Sequence, residues 1–244
     1  MKYPHAMNFQ ALKRGIYEEV QKGNMEIVHA DADSITVLDF TKSGDDPKEF
    51  TFTNPKTIDV RWLRRHIWIH PSISILLDDI ASTLMEMDPN TFITMRHLVI
   101  LPRLENLQDY IQNMIPTKQV SSLLNTAPLK CRNKTQPIGQ LWNHANCAIV
   151  YLDNVKKVAA ETVHENLGAW KSFHMCTWET IFHELRHLMM DCNPFLPEQD
   201  YPVHLASEEA VEAFCEEEYE RIRATAFTFL PRDGHPCYTN SRWW

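Results

Sequence analysis

The chain has 244 residues, 44% of them hydrophobic, enough to bury the core of one large domain or of a domain with an extension. Its formal net charge of -8 argues against nucleic acid as the main partner, since phosphate binding needs a basic surface. No apolar run reaches the length of a membrane span, the six glycines form no phosphate loop, and the six scattered cysteines contain no C-x-x-C pair. The N-terminal Met1-Lys2-Tyr3-Pro4-His5 leads into no apolar segment, so the expected setting is cytoplasmic, with reduced thiols and no membrane partner.

Residues 7–22 place Phe9, Leu12, Ile16, Tyr17 and Val20 at helical spacing and predict an amphipathic helix. Met25–His29, Ser34–Phe40 and Glu49–Phe52 read as short strands separated by polar breaks. Residues 1–57 are thus a helix and β-meander extension to a main domain of 58–244, or the two form one continuous domain. Residues 58–70 fit neither period. Their run Arg61, Arg64, Arg65 and His66 reads as a solvated helix face. Pro71 opens a predicted helix to Met87, Thr91–Leu101 reads as a buried strand ending at Pro102, and 105–115 as a short helix. The polar, proline-punctuated segment 116–140 reads as loop. Leu141–Leu152 follows as strand, with its core at 147–152, and 154–167 as helix.

The segment 175–191 carries the chemistry. Trp178, Ile181, Phe182, Leu185, Leu188 and Met189 form an apolar stripe at helical spacing, and Asn193-Pro194 ends it. Beside the stripe runs His183-Glu184-Leu185-Arg186-His187, an H-E-x-x-H pattern. Positions four apart lie on one face of a helix, so both imidazoles can reach one metal ion. Glu184 projects next to them, where a carboxylate can take a proton from metal-bound water.

Twenty-one residues beyond His187 stands Glu208, in Ser207-Glu208-Glu209-Ala210-Val211-Glu212. With this second acidic helix, predicted over 206–223, the sequence resembles the gluzincin branch of the zincin-type zinc metallopeptidases. The resemblance spans residues 174–223. It implies an α+β, zincin-like fold with a mixed sheet, one Zn2+ per chain, and a peptide or protein substrate. It implies His183, His187 and Glu208 as zinc ligands, Glu184 as general base, and Glu212 as the acidic brace of a ligand histidine. Glu209 and Glu216 are competing acidic choices; Asp200 is a runner-up near the spacing of the aspzincin branch, whose Gly-Thr and Tyr-Gly companions are missing, and His204 is a candidate on chemistry alone. Tyr219, His235 and Tyr238 are possible oxyanion donors. The related metzincin pattern fails, because Met190 and Asn193 stand where it needs glycine and histidine. In zincins the strand before the active-site helix is often the sheet edge that binds substrate by backbone pairing. That role falls to Cys147, Ala148, Ile149 and Val150.

Two alternatives stay open. A zincin fold can serve another zinc-assisted reaction on a small molecule. Glu161-x-x-His164 together with Glu184-x-x-His187 also matches half-sites of a ferritin-like di-iron protein. That reading needs four long helices and leaves His183 unused.

Overall fold

The structure, a computed structural model, describes residues 9–41, 47–73, 75, 77–116, 119–120, 123–124, 127, 137–161 and 169–192. Among these residues the fold is α+β, with two separate sheets and six α-helices.

The first sheet is local in sequence. Helix α1 (Phe9–Gln21) leads through Gly23, at φ 77°, into β1 (Met25–Ala30), β2 (Ser34–Asp39) and β3 (Lys48–Thr53), an antiparallel meander. Asp31 closes the first turn by accepting from the backbone N–H groups of Asp33 and Ser34. Strand alternation turns Ile35, Val37, Phe50 and Phe52 onto Phe9, Leu12 and Ile16 of α1, making one apolar cluster. Tyr17, expected on that buried face, is instead 50% exposed. This layer joins the remainder through Thr53 N–H, which donates to the Ile93 carbonyl at 2.8 Å, and through Ile93 itself, buried in the same cluster.

The ambiguous segment 58–70 contains a one-residue switch. Asp59 caps α2 (Val60–His66) by accepting from Trp62 N–H at 2.7 Å, and β4 (Ile67–Ile69) follows directly. The helix predicted from Pro71 begins only at Leu77 (α3, Leu77–Leu84). His70 holds the preceding turn: its Nδ1 accepts from Ser72 N–H, and Ile73 N–H donates to the His70 carbonyl. Local side-chain bonds of this kind compete with helix. The strand predicted over 91–101 shortens to β5 (His97–Leu101), because Asp88 caps a 3-10 turn at Pro89–Phe92. Helix α4 (Leu107–Met114) comes next.

Strands β6 (Gly139–Trp142) and β7 (Cys147–Tyr151) form an antiparallel hairpin where one continuous strand was expected. Its turn uses Asn146 in the left-handed region at φ 51°, a conformation asparagine tolerates better than most residues. Helices α5 (Leu152–Glu161) and α6 (Ala169–Cys192) complete the described chain.

The second sheet runs β4-β5-β7-β6, parallel except for β6. It is covered on both faces. Leu98, Ile100, Ala148 and Val150 face α6 together with residues of α2, α3 and α5. Val99, Leu101, Cys147 and Ile149 face α4. Every residue of β7 is buried, as expected of a strand sandwiched between helical layers. No helix among the described residues is long and apolar enough to cross a membrane.

Candidate metal centre

Helix α6 contains neither glycine nor proline across its 24 residues, so its length of about 36 Å is uninterrupted. Thr177 and Thr180 bond back to the carbonyls of Phe173 and Cys176 at 2.7 and 2.6 Å, satisfying hydroxyls that would otherwise be buried alone. Ile181, Phe182, Leu185 and Leu188 anchor the helix in the core beneath the sheet, and Trp178 stacks on Phe182 at 5.6 Å between ring centroids. The predicted stripe is therefore the buried face, and it fixes the direction of everything else on the helix.

His183 and His187 lie one turn apart, half-buried, with ring centroids 4.6 Å apart and rings inclined by 71°. Their Nε2 atoms are 3.0 Å from one another. Two imidazoles sharing one ion through metal–nitrogen bonds of about 2.0–2.1 Å hold those nitrogens roughly 3 to 3.5 Å apart. The pair thus fits a zinc ion, and imidazole nitrogen is a donor that zinc accepts readily. Helix geometry alone produces this convergence, which is why the four-residue spacing was readable.

Glu184 lies between them in sequence and is buried, 6% exposed. Its side chain reaches the backbone of β6. A Cβ placed on Gly139 would stand 2.6 Å from Glu184 Oε1, 2.7 Å from Glu184 Cγ and 2.7 Å from Thr180 Cγ2. The register explains the approach. Gly139 pairs with Val150 and Leu141 with Ala148, so these two positions of β6 face α6, while Gln140 and Trp142 face the other way. Asn154 of α5 holds the approach to β6 by donating to the Pro137 carbonyl at 2.8 Å.

The assignment of Cys147, Ala148, Ile149 and Val150 as a substrate-binding edge does not hold. β7 is paired with β5 on one side and β6 on the other, so both of its backbone edges are already bonded. The border strand on this side is β6, and among the described residues no further strand pairs with it. Gly139 was missed because it fell within the predicted loop 116–140, and Thr180, inside the predicted helix, because its part depends on the strand packed against it. The available signal was a lone glycine between Ile138 and Gln140, at the entry to a strand in a chain with only six, which can mark close backbone approach.

The remaining expected residues lie outside the described part of the chain: Glu208, Glu212, Tyr219, His235 and Tyr238, with the competing ligands Asp200, His204, Glu209 and Glu216 and the di-iron partner His164. Among the described residues, no group of three or more His, Cys, Asp or Glu side chains is placed to hold a metal ion. Glu161 is exposed at the last position of α5, and the two sheets replace the four-helix bundle on which a di-iron site depends.

A third histidine of α6, His174, is 9% exposed and packs edge-on to Phe173 at 6.3 Å. Burial pulls its pKa down to about 4, so it is neutral at physiological pH. Nine residues separate it from His183, which puts it on the other side of the helix.

A scan against family models and searches of curated proteins and of solved structures give no match to this chain.

Proposed function

We propose that this chain is a zinc metallopeptidase of the zincin type, hydrolysing peptide or amide bonds. One observation carries the reading. His183 and His187 bring their Nε2 atoms within 3.0 Å of one another, while Glu184, next to His183 in the chain and buried, extends to a sheet-border strand. His183 and His187 hold the metal, and the third ligand comes from beyond the described residues, with Glu208 first among Glu209, Asp200 and His204. A zinc ion bound there supplies Lewis acidity, bringing the pKa of a water toward ~7 and polarising a carbonyl.

The chain's own residues supply the rest. Glu184 accepts a proton on its carboxylate and passes it to the departing amine, the general base and then general acid of the reaction. Its enclosure by Gly139 and Thr180 restricts where that carboxylate can point. The border position of β6 suits an extended peptide that adds to the sheet by backbone pairing, so that the scissile bond is carried past Glu184. This replaces the inner strand β7 in that role.

The same residues would serve zinc-assisted hydrolysis of a small molecule, and a peptide library at neutral pH separates the two. Chelator-sensitive cleavage with a consistent residue preference is the expected result. A zinc-loaded protein that cleaves no member of the library would reject the peptidase reading.

A further inference from the structure

We infer that Gly139 is a positioning residue for Glu184: the missing side chain in the border strand is what allows the carboxylate to stand where it does. The inference rests on the metallopeptidase reading for its catalytic meaning, but its geometry is independent of it.

Three facts lead to it. Position 139 lies on the face of β6 that looks at α6, so a side chain there has nowhere to go but toward the helix. Its Cβ would come within 2.6 to 2.7 Å of three atoms, closer than carbon atoms approach without displacement. Two of those atoms belong to Glu184 and the third to Thr180, one turn earlier on the same helix face. The collision is therefore concentrated on the one carboxylate of the H-E-x-x-H pattern and on its immediate neighbour. Backbone conformation is not the reason for glycine here, because the left-handed glycine of the described chain is Gly23. The requirement at 139 is one of space.

Neither neighbour yields easily. Thr180 is branched at Cβ, and its hydroxyl is held by the Cys176 carbonyl at 2.6 Å. Strand β6 is tied to β7 through Val150 and to α5 through Pro137 and Asn154. The soft element is the Glu184 side chain, so a methyl group at 139 rotates the carboxylate away. The three atoms nearest a Cβ at 139 include none of His183 or His187, so the imidazoles are expected to keep their separation. Loss of the base without loss of the metal pair is the signature of a positioning residue.

The test compares Gly139→Ala, Gly139→Ala with Glu184→Ala, and Gly139→Ala with Thr180→Ser, in the full-length protein. Gly139→Ala should lower Tm by about 5 °C, a typical overpacking penalty for a chain of this size. In the Glu184→Ala background, which removes two of the three obstructing atoms, that loss should fall by more than half. This thermal coupling needs neither metal nor substrate. With peptide substrate, Gly139→Ala should keep its zinc and its KM while kcat falls about 10²-fold, the cost of moving a reacting group by an ångström. Thr180→Ser removes the obstructing methyl but keeps the hydroxyl, and should return at least about tenfold of the lost kcat. If Gly139→Ala alone does not yield folded protein, the two double variants, measured against Glu184→Ala and Thr180→Ser, carry the same comparison. An equal Tm loss with and without the Glu184 side chain would overturn the contact. A Gly139→Ala protein with wild-type kcat would overturn the positioning role. Should the wild-type protein cleave no peptide, the peptidase reading fails, and the placement of Glu184 by Gly139 is then decided by the thermal coupling alone.

Discussion

The two faces of the four-stranded sheet both hold histidines, and they treat them in opposite ways. On the α4 face, His97 Nδ1 meets the Tyr110 hydroxyl at 2.6 Å, and that hydroxyl meets Cys147 Sγ at 3.2 Å. Burial, with the nearby charges of His66 and Arg96, pulls the His97 pKa down to about 4. Burial pushes the Cys147 thiol up to about 11 and raises the Tyr110 phenol further still. Every member of this chain is neutral near pH 7, and the chain ends on backbone, with Cys147 Sγ donating to the Ala145 carbonyl at 3.3 Å. On the α6 face, two half-buried imidazoles bring their Nε2 atoms to 3.0 Å from one another, and the neighbouring Glu184 is buried. The comparison sets a histidine bonded into its surroundings against a histidine pair that we propose as ligands. Both are partly buried, so depth alone does not discriminate. What differs is whether the ring nitrogens end on neutral protein groups or converge with a second imidazole.

Removing one imidazole from the α6 face should have the largest effect. His183→Ala or His187→Ala is expected to reduce zinc from about one per chain to near background, because only two of the three proposed protein ligands then remain. Metal analysis of purified protein checks it, and retention of stoichiometric zinc in either variant would remove the pair from the site. Next comes Glu184→Gln, which should leave zinc content unchanged and lower kcat by about 10²- to 10⁴-fold, the range of a lost general base.

A pH effect should come from the α4 face and from His174. A histidine with a pKa depressed to about 4 in the folded state, against about 6.5 unfolded, takes up its proton more readily when the chain unfolds. Its stabilising contribution is full above pH 6.5, declines as pH falls from about 6.5 to 4, and is gone below that. For His97 this amounts to up to about 3 kcal/mol. His174 and His66 are shifted downward by burial too and act with the same sign. Urea midpoints of the metal-free protein at pH 7.5 and pH 5 read the slope, and His97→Gln should flatten it. A midpoint independent of pH would break the contrast drawn between the faces. The smallest effect is expected of Tyr110→Phe. It keeps the ring but takes the hydroxyl from His97 and Cys147, costing about 1–3 kcal/mol with zinc content unaltered.

The His183–His187 pairing of the candidate site was legible because its pattern is local. Four-residue spacing on a helix brings His183 and His187 together whatever the remaining fold, and the apolar stripe tells which side of α6 is buried. The N-terminal meander was legible for the same reason: its strands follow one another across short polar turns. Non-local facts were not. Whether β7 or β6 forms the border depends on which strand lies beside β5, and strand order leaves no mark in a single strand's composition. The β6–β7 turn passed unnoticed because it is made by Asn146 rather than by a glycine. The switch from α2 to β4 has no intervening turn residue to announce it.

Strand order also has a kinetic side. The meander pairs Met25 with Asp39, neighbours along the chain, whereas β5 pairs His97 with Cys147 across fifty positions. Closing the longer loop costs more chain entropy before any contact repays it. A nascent chain can therefore pair the strands of its first sheet early, while the second sheet waits for the β6–β7 hairpin to dock on β5 through β7. Helix α6 comes later still in synthesis and packs on the face that this docking creates. Among the described residues, those of the H-E-x-x-H pattern are thus among the last to acquire their surroundings.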